Sequence, residues 1–263
     1  MVYIDLISNT KLDTFKQCKW KYRLTYVDKI QGDPPLHDEQ LKFGQYIHKI
    51  FEEGTQAASV KELHTLAEHY RPQYKVPFDY NSKIETCLRN YFKFNAKLTE
   101  TVATELKYEL EVTEGIKING VIDRIVKGTE NGYLVIDYKT SKKEKNKFEL
   151  YNDSQLQGYC YAISKLYNTD VTNITCAHYY PLTNNFVPVQ FGHKRIAGYV
   201  RMIVDNVWKI RKLKKEQLEP RQNEYCDFCS FKNYCPIYVE AATLQVRLDE
   251  ACAKVKAALK NPE

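Results

Sequence analysis

Two hydrophobic periods divide this chain. Leu12, Phe15, Trp20 and Leu24 recur at near-helical spacing behind Ser8 and Asn9, both good capping residues, so residues 8–30 are expected to form a helix. Asp33-Pro34-Pro35 breaks it. Leu41, Ile47 and Phe51 mark the expected core face of a second helix over about 38–58, which Gly54 ends. Residues 60–100 continue helical, with interruptions at Pro72 and Pro77. The period then drops to two. Leu106, Tyr108, Leu110 and Val112 alternate with polar residues within a strand-like stretch from Ala103 to Val126. Residues 133–139, 174–181 and 186–191 are short β-rich runs, and 154–167 has a helical pattern. A long basic amphipathic helix is expected over about 194–218, then a cysteine-rich loop and a helix near 236–260. Helices, a hairpin, a crossover helix and further strands describe one α/β domain over residues 1–263 with a mixed sheet.

Composition narrows the setting. The 263 residues are 43% hydrophobic and 27% charged, a globular balance that argues against disorder. No apolar run approaches the ~18 residues a bilayer requires. Met1-Val2-Tyr3-Ile4-Asp5 lacks the basic start and apolar stretch of a signal peptide, so an intracellular, cytoplasmic protein without membrane contact is expected. In that compartment eight cysteines point to metal or catalysis rather than disulfides. Lys plus Arg exceed Asp plus Glu by 39 to 33, giving +6, a mild excess that suits a polyanion without demanding one.

The densest chemistry lies between Gly120 and Lys139. Alternation along a strand puts Asp137 and Lys139 on one face, with Ile136 and Tyr138 on the other. A three-residue turn Glu130-Asn131-Gly132, with Gly132 left-handed, makes 129 face 133 and 123 face 139. Asp123 then shares a face with Asp137 and Lys139. Two carboxylates so close repel unless a cation lies between them, and Mg²⁺ or Mn²⁺ favours such oxygen donors. A neighbouring ammonium can stabilise developing negative charge. His48 stands four residues after Gly44 on one helix face, and an imidazole nitrogen biases a site toward Mn²⁺. Asp153 or Ser154 caps the next helix, with Gln157 completing a capping box. On that helix Gln155 and Tyr159 form a polar edge, and Leu156, Cys160 and Ile163 an apolar one.

In order and spacing, Gly44-x-x-x-His48, Gly120-Val-Ile-Asp123, Asp137-Tyr138-Lys139 and Gln155-x-x-x-Tyr159 resemble the RecB-like PD-(D/E)XK nucleases. The resemblance covers roughly residues 8–240. It implies a restriction-endonuclease-like core, a mixed central sheet flanked by helices, with a helical N-terminal insertion over about 36–100 and a C-terminal cluster-binding segment. It also implies that His48, Asp123, Asp137 and the Tyr138 carbonyl bind metal, that Lys139 is the catalytic lysine, and that Gln155 and Tyr159 support it. Glu105 resembles the acid that family members often carry on the strand before the first Asp, with Glu109 competing.

Cys226-x2-Cys229-x5-Cys235-Pro236 supplies three thiolates in ten residues. Cys18 is the expected fourth ligand and Cys252 the alternative, while Cys87, Cys160 and Cys176 have the setting of buried small hydrophobes. Zinc competes, but only one CxxC knuckle is present, and the x5 spacing favours a [4Fe–4S] cluster. One distant N-terminal cysteine plus a C-terminal trio is similar to the iron–sulfur branch: CRISPR-associated RecB-like exonucleases and AddB-type nucleases. The cluster would fasten the helix at 8–30 to the segment at 220–240.

Two basic runs remain. Lys139 to Lys147 is well placed for phosphates, whereas Lys209 to Lys215 complements a helix C-terminus. The expected function is a Mg²⁺- or Mn²⁺-dependent DNase in recombination, repair or CRISPR adaptation. The resemblance adds exonucleolytic action on single strands or free ends, and a helicase, integrase or recombinase partner. The competing class is a cluster-stabilised DNA-binding adaptor with vestigial hydrolysis; a site-specific restriction enzyme ranks third.

Overall fold

The computed structural model of the chain describes residues 4–34, 38–128 and 132–260. In chain order the elements are β1 (Leu6–Ile7), α1 (Asn9–Gln17), α2 (Lys19–Tyr22), α3 (Glu39–Glu53), α4 (Val60–Tyr74), α5 (Asn81–Asn95), β2 (Thr101–Thr113) and β3 (Ile116–Lys127). Then come β4 (Tyr133–Tyr138), α6 (Lys147–Tyr151), α7 (Ser154–Leu166), β5 (Ile174–Tyr180), β6 (Asn185–Gln190), α8 (His193–Lys212) and α9 (Ala241–Lys260). They fall into two compact units: Met1–Asp38, Glu111–Ile118 and Ile203–Glu263 make the first, and Glu39–Leu110 and Asn119–Met202 the second.

The second unit is a mixed sheet with helices on both faces. β3 pairs antiparallel with β4, β4 parallel with β5, and β5 antiparallel with β6. Along β4 the pleat sends Ile136 and Tyr138 into a core with Phe43, Ile47, Phe51, Leu88 and Tyr91 from α3 and α5. Val135 and Asp137 point to the other face. There α7 lies on β5 and is buried nearly all round from Leu156 to Ile163. Such apolar strands, covered on two sides, fit the continuous hydrophobic runs of their sequences.

The sequence expectations hold for most elements and fail at instructive places. Leu41 is 59% exposed rather than in the core. It shares a helix face with Gly44, His48 and Glu52, which lines a groove, whereas Phe43, Ile47 and Phe51 form the buried stripe. Pro72 does not interrupt α4, which runs to Tyr74 and ends at left-handed Lys75. Gln157 forms no capping box. Its amide donates to Tyr151 O at 3.0 Å, and the Asp153 carboxylate caps α7 by accepting from the backbone of Gln155 and Leu156.

In the first unit the expected helix over 8–30 is broken. Ser8 caps α1, whose N–H at Lys11 bonds its hydroxyl, but Cys18 is extended, with φ −157° and ψ 113°. After α2 the backbone continues as a π-turn over Arg23–Val27. β1 pairs parallel with the start of β3. The expected helix over about 194–218 ends at Lys212, followed by a 3₁₀ turn at Lys215–Gln217, and the C-terminal helix starts at Ala241 rather than near 236. No helix among the described residues is long and apolar enough to cross a membrane.

Candidate metal centre and cysteine quartet

The β3–β4 register places the first carboxylate. Arg124 faces Ile136 and Lys127 faces Tyr133, so one step on Asp123 faces Asp137. The expected pairing of 123 with 139 is therefore off by two residues. An even slip keeps every side chain on its face, so the two acids still share one. Residues 129–131 of the turn lie outside the described residues; on their flanks Gly128 N–H bonds Gly132 O at 2.9 Å. Gly120 is needed here, because a Cβ would stand 2.6 Å from the Tyr108 hydroxyl.

Asp123 is buried, and its Oδ2 accepts the Tyr138 N–H at 2.8 Å. His48 reaches the same peptide from α3: its Nε2–H donates to the Tyr138 carbonyl at 2.9 Å. Gly44, one turn earlier, permits this approach, since even a Cβ would come within 3.3 Å of Thr140 Oγ1. With Nε2 donating, the neutral ring turns the Nδ1 lone pair toward Asp123 Oδ2 at 3.5 Å. Glu105 completes the group: one donor atom each from His48, Glu105 and Asp123 lies within 4.8 Å of the others. Glu105 is also left-handed, at φ 46°, in the middle of β2, an uncommon conformation that concentrates at functional sites. Glu109, its competitor in the sequence, is exposed.

Electrostatics describe a site short of positive charge. Burial, then the nearby Asp137, hold the Asp123 carboxyl protonated well above the usual carboxylate range. Burial and Asp123 push Glu105 up. Burial lowers the basicity of His48 despite the surrounding acids. A lone pair facing carboxylates at this spacing suits a divalent cation.

A second group adjoins it. Lys139 Nζ lies 2.6 Å from Asp137 Oδ2 and donates to Gln155 Oε1 at 3.1 Å. Gln155 Nε2 in turn donates to the Tyr159 hydroxyl at 2.8 Å. Burial opposes the Lys139 charge, but Asp137 outweighs it and raises the ammonium above its ordinary value. The lysine is thus held charged beside the candidate metal ligands.

Two buried residues here escape sequence reasoning. Arg124 donates to Tyr91, Asn95 and Thr101 beneath the sheet. His178, fully buried on β5, stands opposite Asp137. Only the parallel β4–β5 pairing identifies His178, and nothing local in its sequence does.

In the first unit Cys18, Cys226, Cys229 and Cys235 line one concavity. The break at Cys18 turns its side chain out of helical phase. Cys226 and Cys229 bracket one 3₁₀ turn, and Cys235 ends another. Asn223 N–H donates to Cys226 Sγ at 3.3 Å. Trp20 Nε1 donates to Tyr234 O at 2.7 Å and Asn223 Nδ2 to Gln17 O at 3.1 Å, tying the N-terminal helices to this segment. Cys252, the alternative ligand, packs beside Leu24, Ile30 and Phe231. Cys87, Cys160 and Cys176 are buried, as expected.

The chain is 26% identical over 181 residues to a subunit of the ATP-dependent helicase/deoxyribonuclease of Streptococcus agalactiae, covering 60% of this chain and 16% of that protein. The same subunit from Streptococcus mutans is 26% identical over 186 residues, covering 64% and 17%. The chain thus spans less than a fifth of these relatives. The crystal structure of a candidate exonuclease from Eubacterium rectale superposes with a TM-score of 0.52 at 14% identity, covering 86% of this chain and 87% of that one, a likeness of fold. The family model of the PD-(D/E)XK nuclease superfamily matches residues 6–236, which include every residue of the carboxylate site and the cysteine quartet. The chain belongs to the PD-(D/E)XK nuclease superfamily.

Proposed function

We propose that this chain is a Mg²⁺- or Mn²⁺-dependent DNase that cleaves single-stranded DNA or DNA ends. The observation that carries the reading is the convergence of His48, Glu105 and Asp123 within 4.8 Å, beside the Lys139–Asp137 pair. His48, Asp123, Asp137 and the Tyr138 carbonyl would hold the ion, with Glu105 joining them. When bound, the ion polarises the phosphodiester and acidifies the attacking water. Lys139 orients that water and stabilises charge developing on the phosphate, while Gln155, braced by Tyr159, fixes the ammonium's direction. Exposed Lys142, Lys143 and Lys147, just past the catalytic strand, bind the backbone without reading bases.

Cys18, Cys226, Cys229 and Cys235 hold a structural [4Fe–4S] cluster that takes no part in hydrolysis. Their common concavity supports a shared metal site, and the single CxxC knuckle with the x5 spacing supports a cluster over zinc. The streptococcal relatives belong to helicase/deoxyribonucleases by name, so a helicase-bearing assembly in recombination or repair is the proposed partner.

The test is degradation of end-labelled single-stranded and blunt duplex DNA with Mn²⁺, comparing the native chain with Lys139→Ala. Cleavage by the native chain, reduced at least ~100-fold in the variant, is expected. Equal DNA binding without cleavage by either protein replaces this reading with the adaptor.

A further inference from the structure

His178 is absent from the four motifs, yet it lies against the catalytic pair. Its Nε2 is 3.4 Å from Asp137 Oδ2, and its Nδ1 is 3.1 Å from the Tyr180 hydroxyl. That hydroxyl also meets the Lys145 backbone N–H at 2.9 Å. The direction of this chain follows from chemistry. A backbone N–H can only donate, so the Tyr180 oxygen accepts from Lys145. The buried phenolic O–H still needs an acceptor of its own, and His178 Nδ1, 3.1 Å away, is assigned that role. A neutral ring accepting at Nδ1 carries its hydrogen on Nε2, and that N–H faces Asp137.

We propose that His178 is a positioning residue whose Nε2–H, the last link of a donor chain running from the Lys145 backbone through Tyr180, is poised to donate to Asp137 Oδ2, the two being buried atoms without another hydrogen bond and 3.4 Å apart. Lys139 Nζ stands 2.6 Å from the same oxygen. A small rotation that brings the ring N–H from 3.4 Å onto this oxygen would let the ammonium and the imidazole together fix the rotation of the carboxylate. The chain also closes a ring, because the lysine-rich segment that leaves the strand after Lys139 returns through Tyr180 and His178 to Asp137. Burial, despite the opposing Asp137, lowers the basicity of His178, in keeping with a neutral ring. The inference rests on the functional reading only for the importance of Asp137; the tautomer is a property of the chain itself.

The first measurement is therefore ¹⁵N-edited NMR of the histidine rings in the metal-free protein. The Nε2–H tautomer is expected for His178, and an Nδ1–H or doubly protonated ring overturns the proposal. The second is kinetic. His178→Ala should lower kcat roughly 10- to 100-fold while KM stays within about two-fold, the usual cost of removing a ligand's partner. His178→Gln, whose amide nitrogen can replace Nε2–H, should recover most of that loss. The glutamine variant also carries the test if the alanine variant does not fold. Native-like kcat in His178→Ala, or a folded His178→Gln no better than alanine, overturns the proposal. Native-like cleavage by Lys139→Ala, in contrast, counts against the functional reading and leaves the tautomer result standing.

Discussion

The carboxylate site and the cysteine quartet are both candidate ligand sets, but the fold builds them differently. His48, Asp123 and Asp137 sit on regular elements, and hydrogen bonds to the Tyr138 peptide fix two of them before any ion arrives. Three of the four cysteines sit in or beside short 3₁₀ turns, which hold few internal bonds. The fourth occupies a helix break, 208 positions from Cys226. One set is a scaffold awaiting its ligand. The other, with the proposed cluster, would need its ligand to complete the scaffold. Losing the ion should therefore cost activity in the second unit, whereas losing the cluster should cost stability in the first.

The sharpest break of that contrast is Asp123→Asn. The asparagine oxygen still accepts the Tyr138 N–H, but it can no longer ionise to an anionic ligand. Cleavage should fall at least ~100-fold. The thermal midpoint should hold or rise, because burial raises the carboxyl's pKa in the fold: near neutral pH its ionised form is favoured in the unfolded chain, and that penalty disappears with the acid. A fall in the midpoint of several degrees would show that the site is not preformed.

Cys18→Ala should do the opposite. Colour and stability should drop together, with a midpoint lower by ~5 °C or more, since cluster binding is part of folding. Absorption spectra and iron analysis of protein purified without oxygen, followed by calorimetry, test it. A folded brown variant moves the fourth ligand elsewhere, and a colourless native protein that contains zinc replaces the cluster.

How legible each set was follows from the same difference. Strand alternation has a period of two, so a register error of two residues left Asp123 and Asp137 on their shared face. Helix phase brought Gly44 and His48 to one groove, although it misassigned Leu41 to the core. Gln155 and Tyr159, one turn apart, meet as their spacing implies. The break at Cys18 was hidden, because an apolar stripe passes through it and no proline marks it. His178 was hidden too, since it acquires meaning only when β5 docks parallel to β4.

The smallest expected effect separates the two basic runs. Lys142, Lys143 and Lys147 are exposed in the segment that follows β4, while Lys145 is committed to Asp153 at 2.6 Å. In the first unit Arg211 donates to the carbonyls of Ile4 and Gly115, and Lys215 pairs with Asp28 at 2.6 Å. Two of that run's five charges are thus taken up by its own fold, and Lys209 and Lys212 complement the C-terminal end of α8. Binding of single-stranded DNA, measured against salt with Ca²⁺ in place of Mn²⁺, should lose about 0.7 of slope per phosphate contact removed. Lys142→Ala with Lys147→Ala should thus flatten the slope by about 1.4, whereas Lys209→Ala with Lys212→Ala should leave it unchanged. Equal flattening by both pairs would mean that DNA also contacts the first unit, and its basic helix end could then no longer be assigned to local charge balance alone.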